Sequence, residues 1–165
     1  MKLVFRLVVL AVLGALGFWL WTVLFPSPEK IVLKKISQLA AYATIHNGEG
    51  NISRAGKASN VVSAFANDAE ISFDVEGVGA KTLSGRDEIH DATMAGFMSL
   101  TSLSVQFLDP IARVGADKQS AEVTCTARVT AGDSKDFGIQ QLHFQFKKLD
   151  GDWRITRAET VKSLQ

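Results

Sequence analysis

The sequence predicts an α+β protein: an N-terminal transmembrane helix, then three helices packed on a mostly antiparallel sheet. Three observations carry this reading. Residues 7–25 read LVVLAVLGALGFWLWTVLF, a run of 19 without a charge. Between residues 29 and 99, apolar residues recur mainly at helical spacing, with a short stretch of strand-like alternation between. From Leu103 onward, apolar and polar residues alternate in long segments, giving one greasy face and one wet face. Such segments suit a sheet covered by helices on one side only.

At about 1.5 Å per residue, a helix over 7–25 nearly spans a hydrocarbon core about 30 Å thick. Trp19 and Trp21 lie toward its far end, where amphipathic rings favour the interface, and Pro26 and Pro28 stop it there. Lys2 and Arg6 precede the run, so the positive-inside rule leaves the amino terminus in the cytoplasm and exports the rest. A cleaved signal peptide would need a shorter apolar core, roughly 7–15 residues, and a small-x-small site, which Thr22-Val-Leu-Phe-Pro-Ser-Pro lacks. The expected division is therefore an anchor over 1–25 and one domain over 26–165, held on the periplasmic or extracytoplasmic side of the cytoplasmic membrane.

Residues 29–46 place Ile31, Leu33, Ile36, Leu39, Ala40 and Ala43 near helical spacing, with Lys30, Lys34 and Lys35 on another side. Asn47-Gly-Glu-Gly-Asn51 should end this helix. A second helix is expected from Ser53 to about Ala66, burying Ala58, Val61, Val62 and Phe65. Alternation over 69–75 predicts a strand, a glycine turn at 77–79 follows, and a short strand runs through Leu83. Ser84-Gly85 opens a third helix whose stripe is Ile89, Ala92, Met94, Phe97 and Met98, with Asp87 and Glu88 suiting its first turn.

Leu103, Val105 and Phe107 begin the strand half, where Asp109-Pro110 implies an edge or a bulge. Ala121, Val123, Cys125, Ala127 and Val129 share one face of the next strand. Leu142, Phe144 and Phe146 oppose Gln141, His143 and Gln145 in another, and Asp150-Gly151 is a tight hairpin turn into Trp153 and Ile155.

Composition excludes several classes. Hydrophobic residues at 47% and charged residues at 21% exclude a disordered chain. Lys+Arg at 18 against Asp+Glu at 17 leaves a net charge of +1, without the basic footprint of a nucleic-acid binder. Cys125 is the lone cysteine, which excludes an internal disulfide and a thiolate metal cluster. His46, His90 and His143 show no metal-ligand spacing, and the nucleophile-elbow, P-loop and dinucleotide fingerprints are absent. Neither metal nor cofactor is expected.

The element order, with Phe65-Ala-Asn-Asp-Ala-Glu-Ile-Ser-Phe, Leu83-Ser-Gly-Arg-Asp-Glu-Ile and Leu149-Asp-Gly-Asp-Trp-Arg-Ile, resembles the nuclear transport factor two-like superfamily, including SnoaL-like cyclases and ketosteroid isomerases. The resemblance covers about 29–165 and implies a cone-shaped domain with a cavity between the helices and a curved sheet. In the isomerases a carboxylate after the first strand removes a proton, while a helix-one tyrosine and a late-strand acid stabilise the oxyanion. Asp74 falls within a residue of the first position and Tyr42 near the second, but Gln145 stands where the acid would be.

Turn chemistry alone accounts for Asp74, and core packing for Tyr42. The expected function is a non-catalytic binding or accessory domain, a small apolar ligand binder or a subunit of a membrane-protein complex, with a homodimer through the sheet face among its partners. The alternative is an isomerase or cyclase acting on a lipophilic substrate with Asp74 as base. Geometry separates them: about 300 Å³ or more with Asp74 and Tyr42 pointing inward favours the enzyme, whereas a pocket filled by Phe65, Phe97 and Phe144 favours the scaffold.

Overall fold

The computed structural model describes residue 12 and residues 26–75, 79–132 and 138–161. The anchor expected over 7–25 thus lies, apart from residue 12, outside the described residues. No described helix is long and apolar enough to cross a membrane.

Helix α1, Pro28–Ala43, starts where Ser27 caps it, Pro28 presets the first turn and Glu29 meets the positive end of the dipole. It buries Val32, Ile36 and Leu39, one residue per turn along one stripe. It ends three residues before the expected His46. Thr44 leaves the helical conformation, and Ile45 exchanges two backbone hydrogen bonds with Leu103, at 2.7 and 2.9 Å. The buried Ile45 is better satisfied as a sheet bridge than as half a turn more of helix.

Helix α2, Asn51–Ser63, buries Arg54, Ala58, Val61 and Val62. The chain then enters strand β1, Phe65–Val75, earlier than its alternation suggested, because the Ile155 amide takes the Ala64 carbonyl at 2.9 Å and Phe65 pairs with Ile155. Strand β2, Gly79–Ser84, folds back on β1. Gly85 at φ +82° makes the turn into helix α3, Arg86–Ser99, a conformation that few residues other than glycine adopt readily.

Strands β3 (Leu103–Val114), β4 (Ser120–Ala131), β5 (Gly138–Leu149) and β6 (Asp152–Val161) complete a six-stranded sheet in the order β2-β1-β6-β5-β4-β3. Only β1 and β6 run parallel, so the sheet is mixed. Strand β3 continues past Pro110 to Val114: it is an edge strand, and the register shifts between Leu108 and Ile111, so proline occupies both settings that tolerate it. Asp150 and Gly151, at φ +50° and +84°, form the expected tight turn.

All three helices lie against one face. Val32, Ile36, Ala58, Val62, Ile89 and Phe97 meet Val123, Phe144, Phe146, Trp153 and Ile155 in one core. Arg54 ties two helices together inside it. Its guanidinium donates to the carbonyls of Glu49 (2.9 Å), Phe97 (2.8 Å), Leu100 (2.6 Å) and Thr101 (3.0 Å), satisfying carbonyls that the end of α3 would otherwise leave unpaired.

Candidate functional site

Between α1, α2 and the sheet lies a cavity of about 190 Å³. The helices contribute Leu39, Ala43 and Val61. The strands contribute Phe65, Ile71 and Phe73 from β1, Phe107 from β3, Leu142 and Phe144 from β5, and Ala158 and Thr160 from β6. Successive strand side chains point to opposite faces, so the pairs Ile71/Phe73, Leu142/Phe144 and Ala158/Thr160 all reach the helix side. Phe107 and Phe144 meet edge to face, with ring centroids 5.7 Å apart at 73°.

Polar groups are nearly absent from this wall. Ser72 and Glu159 border it, but the Ser72 hydroxyl lies 3.2 Å from that of Thr82, and the Glu159 carboxylate takes His143 and Arg157, each at 3.2 Å. Thr160 is the exception. Its hydroxyl accepts the Asp74 backbone amide at 3.0 Å, and its own proton is left to donate. The cavity therefore offers dispersion, aromatic edges and faces, and one hydroxyl.

The structure does not bring the three isomerase-like positions together. Asp74 follows Phe73 in β1, and the pleat turns its side chain to the outer face, beyond Ser72. Gln145 sits between the buried Phe144 and Phe146 and also faces outward, beside Glu122 and Arg157. Tyr42 packs half-buried against the core but is not on the cavity wall. Of the three phenylalanines expected as filling, Phe65 and Phe144 form the wall, whereas Phe97 lies in the core under α3. The sequence reading missed Ile71, Phe73, Phe107 and Thr160 as wall residues, although their alternation carried the signal.

The outer face carries two larger depressions of about 400 and 350 Å³. Arg113, Glu122, Gln145 and Lys147 line the first, and Ile111, Thr124, Gln141 and Val161 the second. Charges of both signs alternate across this face, and His143 stands between Glu159 and Glu122, at 3.2 and 3.8 Å. The two grooves are larger than the helix-side cavity, but polar and apolar groups share their lining, whereas the cavity wall is almost wholly apolar, so the cavity is the better candidate for a small apolar ligand.

Perturbed acids lie elsewhere and serve the fold. Glu49 is held down to about 2 by Lys57, the Ser53 hydroxyl and the His46 amide. Asp152 is held below the carboxylate range chiefly by Lys35. Burial pushes the Cys125 thiol up to about 11, leaving it protonated at neutral pH. Among the described residues, no group of three His, Cys, Asp or Glu side chains is placed to hold a metal ion.

A family model described as a SnoaL-like domain matches residues 50–159, about two thirds of the chain. Solved structures share the fold at low identity. An NTF2-like protein with a cystatin-like fold from Novosphingobium aromaticivorans is 18% identical, with a TM-score of 0.62 over 79% of each chain. An NTF2-like protein of unknown function from Pseudomonas putida KT2440 is 10% identical, with a TM-score of 0.65 over 83% of this chain and 87% of that one. A proposed scytalone dehydratase from Novosphingobium aromaticivorans is 14% identical, with a TM-score of 0.61 over 82% and 83%. No curated protein matches the chain.

Proposed function

The chain belongs to the SnoaL-like domain family, and on that premise we propose that it is a non-catalytic binding domain that takes a small apolar molecule between its helices and sheet, held at a membrane by residues 7–25. One observation carries this reading: the helix-side cavity is walled by aliphatic and aromatic side chains, while the carboxylate and amide that chemistry would use project from the opposite sheet face. A proton transfer needs its base within hydrogen-bond reach of the substrate, and a pleated strand does not deliver Asp74 to the cavity.

The size agrees. At about 190 Å³ and with an almost wholly apolar lining, the site has room for a monocyclic or short aliphatic guest. The outer face suits a second copy of the chain: Ile111, Ile139 and Val161 are exposed there, and Arg113, Glu122, Arg157 and Glu70 alternate in sign, so a two-fold packing sets unlike charges opposite each other.

The test is a titration of the detergent-solubilised full chain with benzene and indole, followed by NMR of the phenylalanine rings. Saturable shifts at Phe73, Phe107 and Phe144, abolished by Ala43→Leu, are expected. Absence of binding, or turnover of a steroid enone that Asp74→Asn removes, would overturn the reading.

A further inference from the structure

We propose that one end of the domain is a docking surface for an anionic lipid bilayer; the proposal rests on the reading of residues 7–25 as an anchor. Three segments far apart in sequence converge there. Lys35 on α1 bridges to Asp152 at 2.5 Å, which sets the first two turns of α1 beside the β5–β6 hairpin. The Lys148 amide takes the Gln119 carbonyl at 2.8 Å, which sets the β3–β4 turn beside that hairpin as well. The end so formed exposes Lys30 and Lys34 from α1, Lys118 from the β3–β4 turn, and Lys147 and Lys148 from β5.

The acids of this end are fewer or already engaged. Asp152 is taken by Lys35 and Arg154, and Asp117 accepts the Gln119 and Ser120 amides of its own turn. Glu29 sits at the positive end of the α1 dipole, and Asp150 is in the hairpin turn. Bases therefore exceed acids here although the whole chain is nearly neutral. The same hairpin exposes Leu149, which follows Lys147 and Lys148 in the last strand pair before the Asp150-Gly151 turn.

Position decides the partner. The uncharged run ends at residue 25, and two residues, Pro26 and Ser27, separate it from α1. Two extended residues span about 7 Å, less than the Debye length of about 8 Å at physiological ionic strength. Lysines at this end are thus held where an anionic surface acts on them, each contributing about a five-fold preference for the docked state. An exposed leucine directly after two lysines suits the headgroup boundary.

The experiment uses the full chain in vesicles of neutral phosphatidylcholine, or of phosphatidylcholine with phosphatidylglycerol. Amide hydrogen exchange is followed in the 116–119 turn and the 149–152 hairpin. Slower exchange is expected in the anionic vesicles, lost in high salt and lost in the triple variant Lys34→Gln, Lys118→Gln, Lys148→Gln, whose docked fraction should fall about 100-fold. Lys81→Gln, at the opposite end of the sheet, should keep the protection. Equal exchange in both vesicles, or protection that survives salt or the triple variant, would overturn the docking proposal. A carbonate wash reports separately on the anchor: release of the chain would overturn that reading, and salt-sensitive protection in anionic vesicles before the wash would still support the lysine surface.

Discussion

Truncating Arg54 should be among the most damaging single changes in this domain. The residue is only 9% exposed, and its guanidinium serves four carbonyls. The bond to Phe97 is fully buried, so in Arg54→Ala that carbonyl loses its partner with no water to replace it, at a cost of about 2–3 kcal/mol. The bonds to Glu49, Leu100 and Thr101 are part-buried, and water recovers most of each, leaving about 0.5 kcal/mol apiece. The sum is about 4 kcal/mol, which for a chain of this size lowers Tm by about 8–16 °C. Arg54→Lys keeps the charge but not the fork, and should lose about half as much. Urea unfolding followed by tryptophan fluorescence and circular dichroism measures both. A shift below about 1 kcal/mol for Arg54→Ala at unchanged m would refute the argument that this side chain holds α2 to the end of α3.

The other expectations rest on different parts of the fold. Trp153→Ala should cost about 3–5 kcal/mol, because the ring is 3% exposed within the shared core; an unchanged melting temperature would show that the inner face of β6 is misassigned. Cys125, with its thiol pushed up to about 11, should resist iodoacetamide at pH 8 in the native protein and react once urea unfolds it, as mass spectrometry would show. Glu49 has its folded-state pKa depressed from 4.5 to about 2. Its contribution to stability is therefore complete above about pH 4.5 and lost as pH falls toward 2, so Glu49→Gln should flatten the stability profile across that window.

Much of the fold was legible because local and long-range preferences agreed. The alternation in β4 and β5, the stripe of α1 and the Asp150-Gly151 turn each have a single physical solution, and the structure adopts it. Boundaries were missed where a long-range pair outbid a local pattern. Val61, Val62, Phe65 and Ala66 fit a continuing helix, yet Phe65 pairs with Ile155, a partner about 90 residues away that no local window contains. Arg54 left a fainter trace. It occupies the apolar stripe of α2 with Ala58, Val61 and Val62, and a cation on such a stripe signals a buried hydrogen-bond hub, though its carbonyl partners on and after α3 are invisible before folding.

The candidate site turned on a single step of strand register. The resemblance located a base to within one residue of Asp74, and in a helix an error of that size would leave a side chain on much the same face. In a strand it moves the group through the sheet. Position 73, which points to the cavity, is phenylalanine, and the other inward positions of the wall, Ile71, Leu142, Phe144 and Ala158, carry nothing that titrates. The outward positions are the polar ones: Glu70, Ser72, Gln145, Arg157 and Glu159 form ion pairs and hydrogen bonds or lie beside them across the far face. The polar and apolar residues of these strands are thus sorted by face. The sorting leaves an apolar wall without an acid or base under the helices and a sheet surface of mixed charge on the far side, so a register error of one residue was enough to move Asp74 from one environment to the other.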